Sequence, residues 1–172
     1  MSFQTQFDSC MNTHRVGFSV FCDDSQMIAE QLQSRNVPYL IATIPSTGNY
    51  PLVRNCEIRN FSPAQYLHWM YICISSRVWP NGIFSYSPFL NGSTILSLIN
   101  SGIVVVLLDF HHANKFVQIE LHHVLDTANG YDSDDPTGNL IVASHDLNDL
   151  INITQAESSP MYLQLGLQIV GC

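Results

Sequence analysis

Residues 103–110 read IVVVLLDF, six apolar side chains in a row before the first polar one, Asp109. Successive side chains of a strand point to opposite faces, so a strand that is apolar at every position must be covered on both sides. That requirement excludes an open sheet with one wet face and places this segment at the centre of the fold. A chain of 172 residues with 46% apolar residues has enough material to build layers on either side.

The remaining segments supply those layers. Val16, Phe18 and Val20 alternate with Gly17 and Ser19, which predicts a strand over 16–22. Asp23, Asp24 and Ser25 offer capping oxygens to a helix over 26–35, with Met27, Ile28 and Leu32 on one face. Pro38 ends that helix, and 39–44 reads as a buried strand, with a weaker strand over 52–58. Ser62-Pro63-Ala64-Gln65 has the form of a capping box, opening a helix to residue 77 whose inward stripe is Tyr66, Trp69, Met70 and Cys73. A short helix over 94–100 is stopped by Ser101 and Gly102. In 116–125, Val117, Ile119, Leu121, His123 and Leu125 alternate with Gln118, Glu120 and His122, which reads as a strand returning beside 103–110 in an antiparallel ribbon. A short strand at 140–143, a short helix to residue 151 and a strictly alternating strand from Met161 to Val170 complete the order. The expected fold is α+β over 1–172 as a single domain. Its sheet is mixed or mainly antiparallel, with three to four helices and a β-rich C-terminal half.

Charge narrows the partners. The net charge is −8, and the basic residues are one lysine, Lys115, and five scattered arginines, Arg15, Arg35, Arg54, Arg59 and Arg77. Nucleic-acid binding rests on Lys and Arg neutralising phosphates, and no basic stripe forms here. Anionic membrane surfaces are disfavoured for the same reason. The opening MSFQTQFDSC lacks a basic run followed by an apolar one, and no apolar run approaches the ~20 residues that span a bilayer. A cytoplasmic location is therefore expected, and the sequons at Asn60, Asn91 and Asn152 should stay unmodified. Five cysteines without a C-x-x-C pair argue against a disulfide framework and against a zinc ribbon.

Three constellations could carry chemistry. Cys22 precedes a helix start, where the helix dipole lowers a thiol pKa, although Asp23 and Asp24 oppose that effect. With Asp109 and His111 at the end of the central strand it forms a candidate catalytic set, and Cys10, following Gln4 and Gln6, is a second candidate nucleophile. In the order of its elements, the stretch 94–150 with its Asp135-Pro136-Thr137-Gly138 loop loosely resembles bacterial papain-like peptidases, which implies a Cys–His hydrolase. Neither cysteine is followed by the small residues usual in that family. His122 and Glu120, both outward on the expected ribbon, are a candidate metal pair, while the ribbon would hold His111 and His112 about 20 Å from them. Asp126, Asp132, Asp134 and Asp135 lack the spacing of a calcium loop. No phosphate-cradling glycine motif occurs, so no cofactor is expected.

The function expected from these features is non-enzymatic protein–protein interaction or self-association. The surface is poor in charge and rich in Asn, Ser, Gln and Tyr, and the near absence of lysine suits a viral or pathogen protein in a host cytosol. A cysteine hydrolase is the alternative and a metal-binding module the second alternative. Self-association is expected through the strand from Met161 to Val170, whose outward row of Tyr162, Gln164 and Gln168 carries no charge.

Overall fold

The computed structural model describes residues 2–13, 15–45, 56–75, 90–130, 138–144 and 168–172. Its centre is the strand expected from the apolar run, Val104–Leu108. Among the described residues six strands form one sheet: β1 (Phe18–Phe21), β2 (Tyr39–Thr43), β3 (Glu57–Arg59), β4 (Val104–Leu108), β5 (Asn139–Ser144) and β6 (Gln168–Gly171), in the order β3-β2-β4-β5-β1-β6. Of these pairings β2–β3 is antiparallel, and β2–β4, β4–β5, β5–β1 and β1–β6 are parallel. The class is α+β with a mixed sheet.

Five α-helices occur among the described residues, more than the three to four expected: α1 (Phe3–Met11), α2 (Gln26–Ser34), α3 (Pro63–Ser75), α4 (Gly92–Asn100) and α5 (Lys115–Ala128). They cover both faces, as the apolar strand demands. Val104 and Val106 join Phe7 of α1 and Ile28 and Leu32 of α2 in one core. Val105 and Leu107 point the other way, into a second core with Trp69 of α3, Ile95 and Leu98 of α4, and Val117 and Leu121 of α5. None of the described helices is long and apolar enough to cross a membrane.

Short polar side chains set the helix starts. Ser62 Oγ accepts from Gln65 N at 3.2 Å while Gln65 Oε1 accepts from Ser62 N at 2.8 Å, completing the capping box read from the sequence. Ser2, Asn91 and Asn114 cap α1, α4 and α5 by accepting from Thr5, Thr94 and Val117 N–H groups at 3.1, 2.9 and 2.9 Å.

The antiparallel ribbon over 103–125 does not form. Residues 110–112 make a 3-10 turn after β4, and 116–125 lies within α5. Val117, Leu121 and Leu125 recur every four residues, which satisfies both an alternating strand and a helical face. Asn114 as a cap, together with Val124 and Ala128 extending the same buried face, favours the helix, and Ile119 is left 37% exposed. Among the described residues beyond 90 the order is therefore α4, β4, α5, β5 and β6. Of the long C-terminal strand, residues 168–170 lie within the described residues, in β6; residues 161–167, the 79–89 loop, the 131–137 part of the acidic loop and the helix expected near 146–151 lie outside them.

Candidate functional site

Parallel strands deliver their C-terminal ends to one rim, where open sheets of this kind bind ligands. Here β1, β2, β4 and β5 end around a cavity of about 200 Å³ lined by Cys22, Asp23, Thr43, Leu108, Asp109 and Ser144, with Ser25 and Ile28 from the start of α2. Asp109 has φ 56° and ψ 44°, a left-handed conformation that turns the chain sharply off β4, and its carbonyl accepts from His112 N at 2.9 Å. The hydroxyl of Ser144 is buried and has no hydrogen-bond partner among the described residues. Two of the three residues proposed for catalysis thus share a cavity. His111 lies in the following turn and is not among the residues lining it.

Cys22 is bonded to Cys172, across 150 residues of sequence and 5.4 Å between Cα atoms. One bond is no disulfide framework, but the sequence reading names no such pair. The pairing follows from strand register: Phe21 is the partner of Gly171 on β6, so the next residue on each strand meets the other. Cys22 N donates to Ser144 O at 3.2 Å and Cys172 N donates to Phe21 O at 3.4 Å, which continues the ladder through the bonded pair. While the bond stands, Cys22 offers no thiolate to a substrate.

The other cysteines are poorly placed for nucleophilic work. Cys10 is buried on α1, its thiol donates to Gln168 Oε1 at 3.2 Å, and burial pushes its pKa up. Burial also raises Cys73, and it raises Cys56 to about 12 with a further push from Cys73. These thiols stay protonated at neutral pH, the opposite of an activated cysteine.

The candidate metal pair is separated by the change from strand to helix. Residues two apart on a helix lie about 200° apart around its axis. Glu120 Oε1 accepts from Gly92 N at 2.6 Å, where it satisfies the start of α4, whereas His122 Nδ1 sits 3.2 Å from Asp126 Oδ2 on α5 itself. The His111 and His112 rings lie with centroids 4.2 Å apart and planes tilted by 58°, and His112 Nδ1 meets Ile44 O at 3.1 Å. Of the acidic loop, Asp126 is described and sits at this helix position; Asp132, Asp134 and Asp135 lie outside the described residues, as do His145 and Asp146. The described ligand-type atoms that converge, all within 4.8 Å of one another, belong instead to Cys22, Asp23 and Cys172.

A different feature marks α3. His68 Nε2 and Ser97 Oγ lie 2.7 Å apart and Gln65 Nε2 donates to Ser101 O at 2.9 Å, fixing α3 against α4. Trp69 and Ile72 turn inward, whereas Tyr66, Leu67, Met70 and Tyr71 are 45–70% exposed. Tyr66 and Met70 had been expected on the inward stripe; the orientation set by Gln65 and His68 turns them out. Ile169 on the edge strand β6 is also exposed. Against protein-family models the chain finds no match, nor does it match any curated protein.

Proposed function

We propose that the chain is a non-enzymatic protein-interaction protein whose contact surface is the outer face of α3. The observation that carries this reading is the exposed set Tyr66, Leu67, Met70 and Tyr71 on a helix, PAQYLHWMYICIS, without a single Asp, Glu, Lys or Arg. Contiguous exposed apolar side chains are uncommon on monomer surfaces, and tyrosine and methionine at the centre of such a patch are typical interface anchors. A hydrolase reading is weakened by the bonded state of Cys22 and by the raised thiols of Cys10, Cys56 and Cys73.

The Cys22–Cys172 bond bears on location. Glutathione keeps such bonds reduced in the cytosol, so a lasting bond supports an oxidising compartment, while the cytoplasmic location expected from the sequence requires the pair as thiols. Alkylation of the protein in intact cells, followed by mass analysis of Cys172, distinguishes the two.

The interaction reading is tested by proximity labelling with wild type and with Leu67→Asp plus Tyr71→Asp. Both side chains are mostly exposed, so the variant should keep the wild-type unfolding midpoint and lose its labelled neighbours. Neighbours retained at wild-type levels on a folded variant would remove α3 as the contact surface.

A further inference from the structure

We infer that reduction of the Cys22–Cys172 bond turns the paired ends of β1 and β6 into a Zn2+ site, with both thiolates and the Asp23 carboxylate as ligands and water in the fourth position. The ligand atoms already lie within 4.8 Å of one another. Tetrahedral zinc holds sulfur at about 2.3 Å and carboxylate oxygen at about 2.0–2.2 Å, so ligand atoms sit about 3.5–4 Å apart. Opening the bond lets the two sulfurs separate into that spacing by side-chain rotation alone.

The backbone keeps them there. Cys22 N to Ser144 O and Cys172 N to Phe21 O are main-chain bonds that do not depend on the sulfur link, and β6 remains in parallel register with β1. A thiol pair freed in a loop would lose its ligand geometry, whereas this pair is held at 5.4 Å between Cα atoms by strand pairing. Two thiolates select a borderline-soft ion over Mg2+ or Ca2+, and one carboxylate completes a donor set that zinc accepts. Asp23 and Cys172 are exposed, giving ion and reductant a way in, and a net charge of −8 favours the approach of a cation.

The chemistry balances with a dithiol reductant. Its two sulfurs close into a disulfide while the sulfurs of Cys22 and Cys172 receive its two electrons and each takes up a proton. Zn2+ then displaces both protons to solvent as the two S–Zn bonds form. The site stands apart from the α3 surface, and neither depends on the other.

The test uses the whole chain, reduced with a phosphine, stripped of metal and titrated with Zn2+ against a chromogenic chelator, with Co2+ as a spectroscopic probe. The expected result is one tightly held Zn2+ per reduced chain, none for the oxidised chain, and a Co2+–thiolate charge-transfer band. Cys22→Ser and Cys172→Ser should each abolish that band. Asp23→Asn, an exposed change that leaves the core untouched, should weaken Zn2+ binding while keeping the band. The double variant Cys56→Ser plus Cys73→Ser serves as the control for a competing thiol pair and should bind as wild type does. A reduced wild-type chain that fails to compete with the chelator overturns the inference. So does equal binding by the oxidised chain, or binding lost in the Cys56/Cys73 variant and retained in Cys172→Ser.

Discussion

The two edges of the sheet are guarded by different means. At one edge β3 is three residues long, antiparallel to β2, and presents exposed Glu57 and Arg59, whose Oε1 and Nε lie 3.1 Å apart. Charges on a short edge strand deter another strand from pairing there. At the other edge β6 carries no charge. Gln6 Oε1 of α1 accepts from Gly171 N at 3.3 Å, Ser19 Oγ donates to Gln168 O at 3.1 Å, the Cys10 thiol donates to Gln168 Oε1, and the Cys22–Cys172 bond anchors the end. One edge repels, and the other is fastened. The first should answer to changes of charge and pH, the second to changes of redox state.

The largest test of that contrast is Cys172→Ser. Removing a bond that closes so long a loop should cost about 2–4 kcal/mol in denaturant unfolding without reductant, and reductant should bring wild type down to the variant. If reductant leaves the wild-type midpoint where it was, β6 is not held by sulfur. Next comes pH at the β3 edge, beside Cys56. Burial holds its folded pKa at about 12, above the ordinary thiol value of 9.0, so the stability it contributes is complete below pH 9 and drains away as pH rises towards 12. Unfolding midpoints of wild type measured from pH 8 to 11 should fall with pH, and Cys56→Ala should flatten part of that slope; an unchanged slope refutes the assignment. Smaller still is Gln6→Ala, which removes one side-chain acceptor from β6 and should cost about 1 kcal/mol with no effect at β3, read by amide exchange at Gly171. Smallest is Arg59→Ala. An exposed pair is worth roughly 0–1 kcal/mol, so the unfolding midpoint should hardly move while light scattering shows more association at high concentration.

Legibility in the sequence tracked the range over which a signal acts. The central strand declared itself because 103–108 is apolar at every position, and α3 because Ser62 and Gln65 reach across a single turn. The strand reading of 116–125 failed because a spacing of four fits the two-residue period of a strand and lies close to the 3.6-residue turn of a helix; the Asn114 cap, the buried Gln118, Val124 and Ala128 and the exposure of Ile119 separate the two. Helix α1 went unread, although Ser2 followed by Phe3, Phe7 and Cys10 carries the signature of a capped amphipathic turn. Cys22 and Asp109 could be placed at strand ends from local pattern, and they share a cavity. Cys172 could not be tied to Cys22, because that contact is decided by which strands lie side by side, and no spacing along the chain records it. His122 and Glu120 fell apart as a pair once their segment coiled.

Joining residue 22 to residue 172 also makes most of the polypeptide a covalent ring. A protease that cuts one peptide bond anywhere within that ring opens it without liberating a fragment, and the nicked molecule keeps its full mass until the sulfurs part.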